Sequence, residues 1–209
     1  MLLYLIVDTV SCGTPETGGR GVVETARQAA AAGVDLIQFR DFKMHDAEYL
    51  DTSRQVMAAI AGTGAKFIVG ERPHLVPRLG AHGVHIGEKY RDIQTAREEI
   101  GRQALLGVSG MDPQQVVAAV GADFDVDYLS VGPVWPTTSK PDAGAAIGVA
   151  EAALRAQNSP FASMLIGGIT QANAGQLKGI STSGVVVLGE VCRAVNVAFA
   201  VKNLKAALG

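Results

Sequence analysis

Short, almost wholly apolar runs recur along the chain at 2–7, 35–40, 66–69, 83–86, 105–108, 127–131, 164–167 and 184–188. A half-exposed antiparallel strand would alternate, so unbroken runs of this length predict parallel strands buried on both faces. Between them, Ala-rich or amphipathic stretches predict helices over 20–32, 46–61, 92–100, 112–120, 148–156, 170–178 and 191–207. Asp46, Asp92, Asp112 and Thr170 stand at the starts of four of these as N-cap types. The stretch 72–79 is weaker: Pro73 suits a first turn, and Pro77 limits the helix to little more than one turn.

A phrase of small or Gly residues, then a polar residue, precedes several of the apolar runs, at 32–35, 80–83, 121–123 and 182–184. Gly past a helix end takes the left-handed cap conformation at little cost, so each phrase stops a helix and launches a strand. Eight strands in regular alternation with helices predict an α/β chain folded as a single (β/α)8 TIM barrel. An open doubly wound sheet is the alternative that pattern alone leaves standing.

Length and composition narrow the picture. The chain has 209 residues, enough for one barrel domain over 1–209 with little room for a second. Hydrophobic residues make up 48% and charged residues 18%, which suits a folded core and argues against disorder. A net charge of -2 without long runs of Lys or Arg points away from nucleic acid and anionic membrane as partners. The apolar run 2–7 ends at Asp8 and has no basic residues before it, so it reads as a first strand and not as a signal peptide or a span. Cys12 and Cys192 lie far apart with no CxxC spacing, which argues against zinc and disulfides and favours a reducing cytoplasm.

In such a barrel, catalytic groups come from the C-terminal strand ends and the loops that follow. The polar residues there are Asp8, Gln38, Arg40, Glu71, Arg72, His85, Glu88, Ser109, the segment 132–142 and Glu190. The segment Gly132-Pro-Val-Trp-Pro-Thr-Thr-Ser-Lys-Pro-Asp142 offers hydroxyls and an ammonium on a loop stiffened by proline. That combination can hold phosphate or pyrophosphate through charge-assisted bonds. Gly167, Gly168 and Gly189 close the seventh and eighth runs, where backbone amides can meet a phosphate; close packing is the other use of such glycines. The Gly/Pro-rich segment 10–19 is expected to be a loop beside the site.

Five motifs in order, Gln38-Phe-Arg40, Gly83-Val-His-Ile-Gly87, Gly107-Val-Ser109, Gly132-Pro-Val-Trp-Pro-Thr-Thr-Ser-Lys-Pro141 and Ile166-Gly-Gly-Ile169, resemble those of the thiamine phosphate synthases. The superfamily also contains the thiazole tautomerases. The resemblance spans nearly the whole chain. It implies a magnesium-assisted transferase that joins hydroxymethylpyrimidine pyrophosphate to thiazole phosphate, its partners being small phosphorylated molecules; a homo-oligomer is compatible with it. It also implies catalytic roles for Ser109, Lys140 and Arg40. Substrate binding would fall to Gln38, Arg40, Thr137, Ser139, Lys140, Gly167, Gly168 and Gly189, and the metal to Glu71.

Several positions depart from the pattern. Gly70-Glu71 stands where Asn-Asp is expected, and Tyr90 where a second acidic ligand is expected, with Glu88 and Asp92 nearby. Phe42 stands in place of a lysine, with Lys43 shifted by one, and Gly189 in place of a serine. Two other readings of the scaffold remain, a thiazole tautomerase-like enzyme and a catalytically silent phosphate-binding paralogue. A tautomerase would carry a histidine where this chain has Gly110-Met111, and His85 is the remaining candidate proton carrier.

Overall fold

In the computed structural model, eight parallel strands pair in sequence order and β1 pairs with β8, closing a barrel. The description covers the chain except residues 88–91, 111–112, 121–124 and 141, and the side chains of 119–120. The strands are β1 (Leu2–Val7), β2 (Leu36–Phe39), β3 (Lys66–Gly70), β4 (Gly83–Ile86), β5 (Leu105–Ser109), β6 (Tyr128–Val131), β7 (Ala162–Ile166) and β8 (Gly184–Val187). Each overlaps the apolar run that predicted it, and β2, β4, β6 and β8 are buried at every residue. Closure excludes the open sheet.

Around the barrel lie α1 (Thr9–Cys12), α2 (Val22–Ala31), α3 (Asp46–Ile60), α4 (Val76–Leu79), α5 (Ile93–Ile100), α6 (Pro113–Val120), α7 (Gly148–Asn158), α8 (Gly189–Cys192) and α9 (Val197–Leu208). The long helices present apolar stripes to the strands. In α9, Val197, Ala200, Val201, Leu204 and Leu208 are buried, at i, i+3, i+4, i+7 and i+11. Among the described residues, no helix is long and apolar enough to cross a membrane.

The polar residues that open two strands pin the sheet. Asp35 accepts the Leu3 amide at 2.8 Å, joining the start of β2 to β1, and Asp127 accepts the Leu106 amide at 2.7 Å, joining the start of β6 to β5. An amide at the mouth of a parallel pair is thereby satisfied without another strand. Gly33 and Gly80 take positive φ where the repeated phrase expects a helix to stop.

Two expected helices and one expected cap differ. Over 170–178 only a 3-10 turn forms, Ala174–Leu177, because Asn173 accepts the Thr170 amide at 2.8 Å and donates to the Gly168 carbonyl at 2.9 Å. Such side-chain bonds compete with the helical ladder. The stretch 191–207 divides into α8 and α9, since Asn196 caps α9 by accepting the Phe199 amide at 3.0 Å. His45 occupies the N-cap of α3, and Asp46 instead binds Arg72 and His74. Asp92 does cap α5, and Asp112 lies outside the described residues. The segment 10–19 contains α1 and a 3-10 turn, Pro15–Thr17, tied by the Gly19 amide to the Thr14 carbonyl at 2.8 Å. Barrel closure sets α1 beside α8, so the buried, free thiols of Cys12 and Cys192 meet each other.

Inside the barrel, Gly107 of β5 makes room for two large neighbours. A Cβ there would lie 2.1 Å from Tyr128 Cζ and 2.6 Å from His85 Nδ1. Gly107→Ala is therefore expected to destabilise the fold by about 1–3 kcal/mol through overpacking, read by chemical denaturation. A loss below about 0.5 kcal/mol, typical of a surface change, would contradict this packing.

Candidate active site

Side chains alternate along a strand, so residues two apart on β1, β2, β4, β5 and β6 stack in layers up the barrel interior. The lower layer is a buried polar chain. Tyr4 donates to Gln38 Oε1 at 3.0 Å, the Tyr4 and Tyr128 hydroxyls lie 3.1 Å apart, and His85 Nδ1 lies 3.2 Å from the Tyr128 hydroxyl. Counting protons fixes its direction. Tyr4 spends its single proton on Gln38, so Tyr128 supplies the proton between the two phenols, and His85 Nδ1–H must donate to Tyr128. His85 thus keeps a bare lone pair at Nε2, and Gln38 keeps its amide donors, Nε2 lying against Gly70.

Burial pushes both phenols up in pKa and holds them as donors. His85 is pushed down to about 3, first by burial and then by the positive charges of Arg40 and Lys140 above it. It stays neutral near pH 7, which does not suit a proton carrier working by titration. Met111, the other position that the tautomerase reading concerns, lies outside the described residues.

One layer up, Arg40 follows β2 and donates to Asp8 at 2.9 Å and to the Ser139 carbonyl at 3.4 Å. Asp8 also accepts the Ser11 amide at 2.7 Å as the cap of α1. Arg40 is thus held at the mouth by a nearly buried carboxylate that is itself fixed by a helix. Phe42, in place of a lysine, sets its ring 5.8 Å from the Arg40 guanidinium. Arg72 turns away to clamp the loop before α3, donating to the Met44 carbonyl at 2.6 Å.

The loop after β6 is fastened to the end of β7, the Val134 amide donating to the Ile166 carbonyl at 2.8 Å and the Trp135 amide to the Gly167 carbonyl at 3.0 Å. Gly167 and Gly168 permit this approach. Their φ values are 102° and 64°, and side chains would meet Pro133 Cβ at 2.4 Å and the Pro136 carbonyl at 2.6 Å. They serve close packing and the cavity at once, but the helix expected to follow Gly168 is absent, so its dipole is too. Beyond, Thr137 Oγ1 accepts the Ser139 amide at 3.2 Å and Lys140 Nζ lies 4.0 Å from Asp142, a long and partly exposed pair.

These parts converge. Arg40, Ser109, Thr137, Ser139 and Lys140 line one cavity of about 780 Å³ together with Gly167, Gly168 and Gly189. Gln38 lies outside that lining, buried in the layer below. Glu71 is also outside it, at the neighbouring strand end. It adopts φ 55°, a conformation costing on the order of 1–3 kcal/mol for a non-Gly residue. Its carboxylate stands over Gly87: Oε1 lies 2.5 Å from the place a Cβ would take there, and Ser109 Oγ lies 3.8 Å from the same place. Asp92 gives both carboxylate oxygens to Thr95, and Glu88 and Tyr90 lie outside the described residues. Among the described residues, no group of three or more His, Cys, Asp or Glu forms a metal cluster.

Sequence reading missed Tyr4 and Tyr128 of the lower layer and Ser130, which lines the cavity, although stepping by two back from Asp8 and Gly132 along their strands reaches them. It also missed Arg193, which no local motif marks.

A model of the thiamine monophosphate synthase family matches residues 3–191. The thiamine-phosphate synthase of Laribacter hongkongensis is 32% identical over 207 residues, covering 99% of this chain and 95% of its own. That of Moorella thermoacetica is 34% identical over 206 residues, covering 97% and 93%. Among solved structures, the thiamine phosphate pyrophosphorylase from Pyrococcus furiosus superposes with a TM-score of 0.84 at 25% identity, covering 99% and 95%.

The depressed His85 has a consequence for stability. Its folded value of about 3 lies below the usual 6.5, so between these values the unfolded chain binds the extra proton. This contribution is complete above about pH 6.5 and is lost as pH falls towards 3. His85→Gln is expected to flatten unfolding free energy against pH by up to about 1.4 kcal/mol per pH unit between roughly pH 6 and 4. Equal slopes for the two proteins in urea unfolding would contradict a neutral, desolvated His85.

Proposed function

Because the chain belongs to the thiamine monophosphate synthase family, we propose that its cavity joins hydroxymethylpyrimidine pyrophosphate and thiazole phosphate into thiamine phosphate and pyrophosphate. The observation that carries this reading is the meeting of Arg40, Ser109, Lys140 and the glycines after β7 around one cavity large enough for two small phosphorylated molecules.

In the reaction, the bond between the pyrimidinyl methylene carbon and the pyrophosphate oxygen breaks and its electron pair leaves with pyrophosphate. The thiazole ring nitrogen then gives its lone pair to that carbon, with no proton transferred. The barrier lies in charge separation, so the work of the site is electrostatic. Arg40, preset by Asp8, and Lys140 stabilise the leaving pyrophosphate, with the Ser109 hydroxyl donating beside them. Ile6, Pro133 and Ile166 line the cavity and keep water from the cation. Gln38 offers its amide donors from below, and Thr137, Ser139 and the Gly167–Gly168 backbone hold the thiazole phosphate.

Glu71, whose carboxylate stands over Gly87 beside Ser109, would hold a magnesium ion through that single carboxylate. When bound, the ion neutralises charge on the leaving pyrophosphate. The same reading places the reaction in the cytoplasm, where Cys12 and Cys192 remain reduced.

Turnover with both substrates and magnesium tests the proposal, and absence of thiamine phosphate with binding of neither substrate would end it. Lys140→Ala is expected to lower kcat at least tenfold, since a preorganised donor to a leaving anion contributes about 2–4 kcal/mol; a wild-type rate would contradict that role. In Glu71→Gln the response of the rate to magnesium is expected to disappear. An unchanged magnesium titration would put the ion elsewhere.

A further inference from the structure

We propose that Arg193 is a substrate-binding residue whose guanidinium takes the phosphate monoester of the second substrate at the end of β8, in the place that Gly189 leaves open. This rests on the synthase reading above. A Cβ on Gly189 would fall 1.9 Å from Arg193 Nη2 and 2.6 Å from its Cζ, so the guanidinium fills the volume a side chain at position 189 would claim. Both residues line the cavity with Gly168 and Lys140.

The guanidinium is free to receive an anion. Among the described residues, no carboxylate or carbonyl accepts from Arg193. The neighbouring acid, Glu190, also lines the cavity, but its Oε1 is engaged by Gln171, accepting the Gln171 amide at 3.1 Å and the Gln171 side chain at 2.7 Å. The backbone that carries Arg193 is also braced, since Arg20 donates to the Ala194 carbonyl at 2.7 Å and the Val195 carbonyl at 3.2 Å. A planar fork with paired donors, anchored at one end and without an internal acceptor, matches a phosphate better than a lone hydroxyl does. Since α8 has only four residues, the side chain rather than a helix terminus supplies the charge.

The test uses the full-length protein with two single variants and their combination. Arg193→Ala removes the guanidinium. Gly189→Ala displaces it at little cost to the fold, because the clash falls on the tip of a flexible side chain. Titration calorimetry with inorganic phosphate is expected to show at least tenfold weaker binding in each variant, with the double variant no weaker than Arg193→Ala alone. In turnover, each variant raises KM for thiazole phosphate at least tenfold and leaves KM for hydroxymethylpyrimidine pyrophosphate unchanged, and Arg193→Lys recovers part of the loss. Wild-type phosphate affinity in Arg193→Ala, or a KM increase shared equally by both substrates, would overturn the proposal. So would a wild-type protein that binds no phosphate. Phosphate binding that depends on Arg193 without any turnover would support Arg193 while refuting the synthase reading.

Discussion

Closure of the sheet between β1 and β8 is the constraint on which the rest of the molecule depends. Leu2 pairs with Gly184 and Tyr4 with Val186, and a side chain on Gly184 would strike the Leu2 carbonyl at 2.4 Å. Once the ring shuts, groups from opposite ends of the sequence become neighbours: Tyr4 reaches Tyr128, Arg40 reaches Ser139, and Arg20 reaches Ala194. Polar groups that would be costly in an open apolar sheet find partners across the interior, which is how a chain of two phenols, an amide and an imidazole can sit in the core.

Above that floor the architecture assigns separate tasks to adjacent strand ends. The β1 and β2 ends hold a fixed cation, the β6 loop lies over β7 because two glycines admit it, and the β8 end carries a guanidinium where a side chain is missing. Absence of side chains thus shapes the cavity as much as their presence. Gly87 admits Glu71, Gly168 admits the proline-rich loop, and Gly189 admits Arg193.

The barrel was legible in the sequence because burial on both faces leaves an unbroken apolar run, and all eight runs became strands. Helix ends were less legible. Asn173 and Asn196 act through side-chain bonds to nearby backbone that hydrophobic periodicity does not register, and Asp46 was drawn from capping to an ion pair with Arg72. The rim residues Arg40, Ser109, Thr137, Ser139, Lys140, Gly167, Gly168 and Gly189 were found by position after a strand and do share a cavity. Gln38 was read as rim, but its inward layer lies lower, where Tyr4 holds it. Arg193 escaped notice because its placement comes from the vacancy at Gly189, four residues earlier, and a helical turn rather than a strand end delivers it.

The central claim is that this one cavity receives two anionic molecules side by side, and a crystal structure with inorganic pyrophosphate and thiazole phosphate bound tests it most directly. Both anions are expected within the same cavity, pyrophosphate against Arg40 and Lys140 and the monoester against the backbone at Gly168. Well-ordered anions bound outside that cavity, or a cavity that stays empty of both at saturating concentrations, would contradict it.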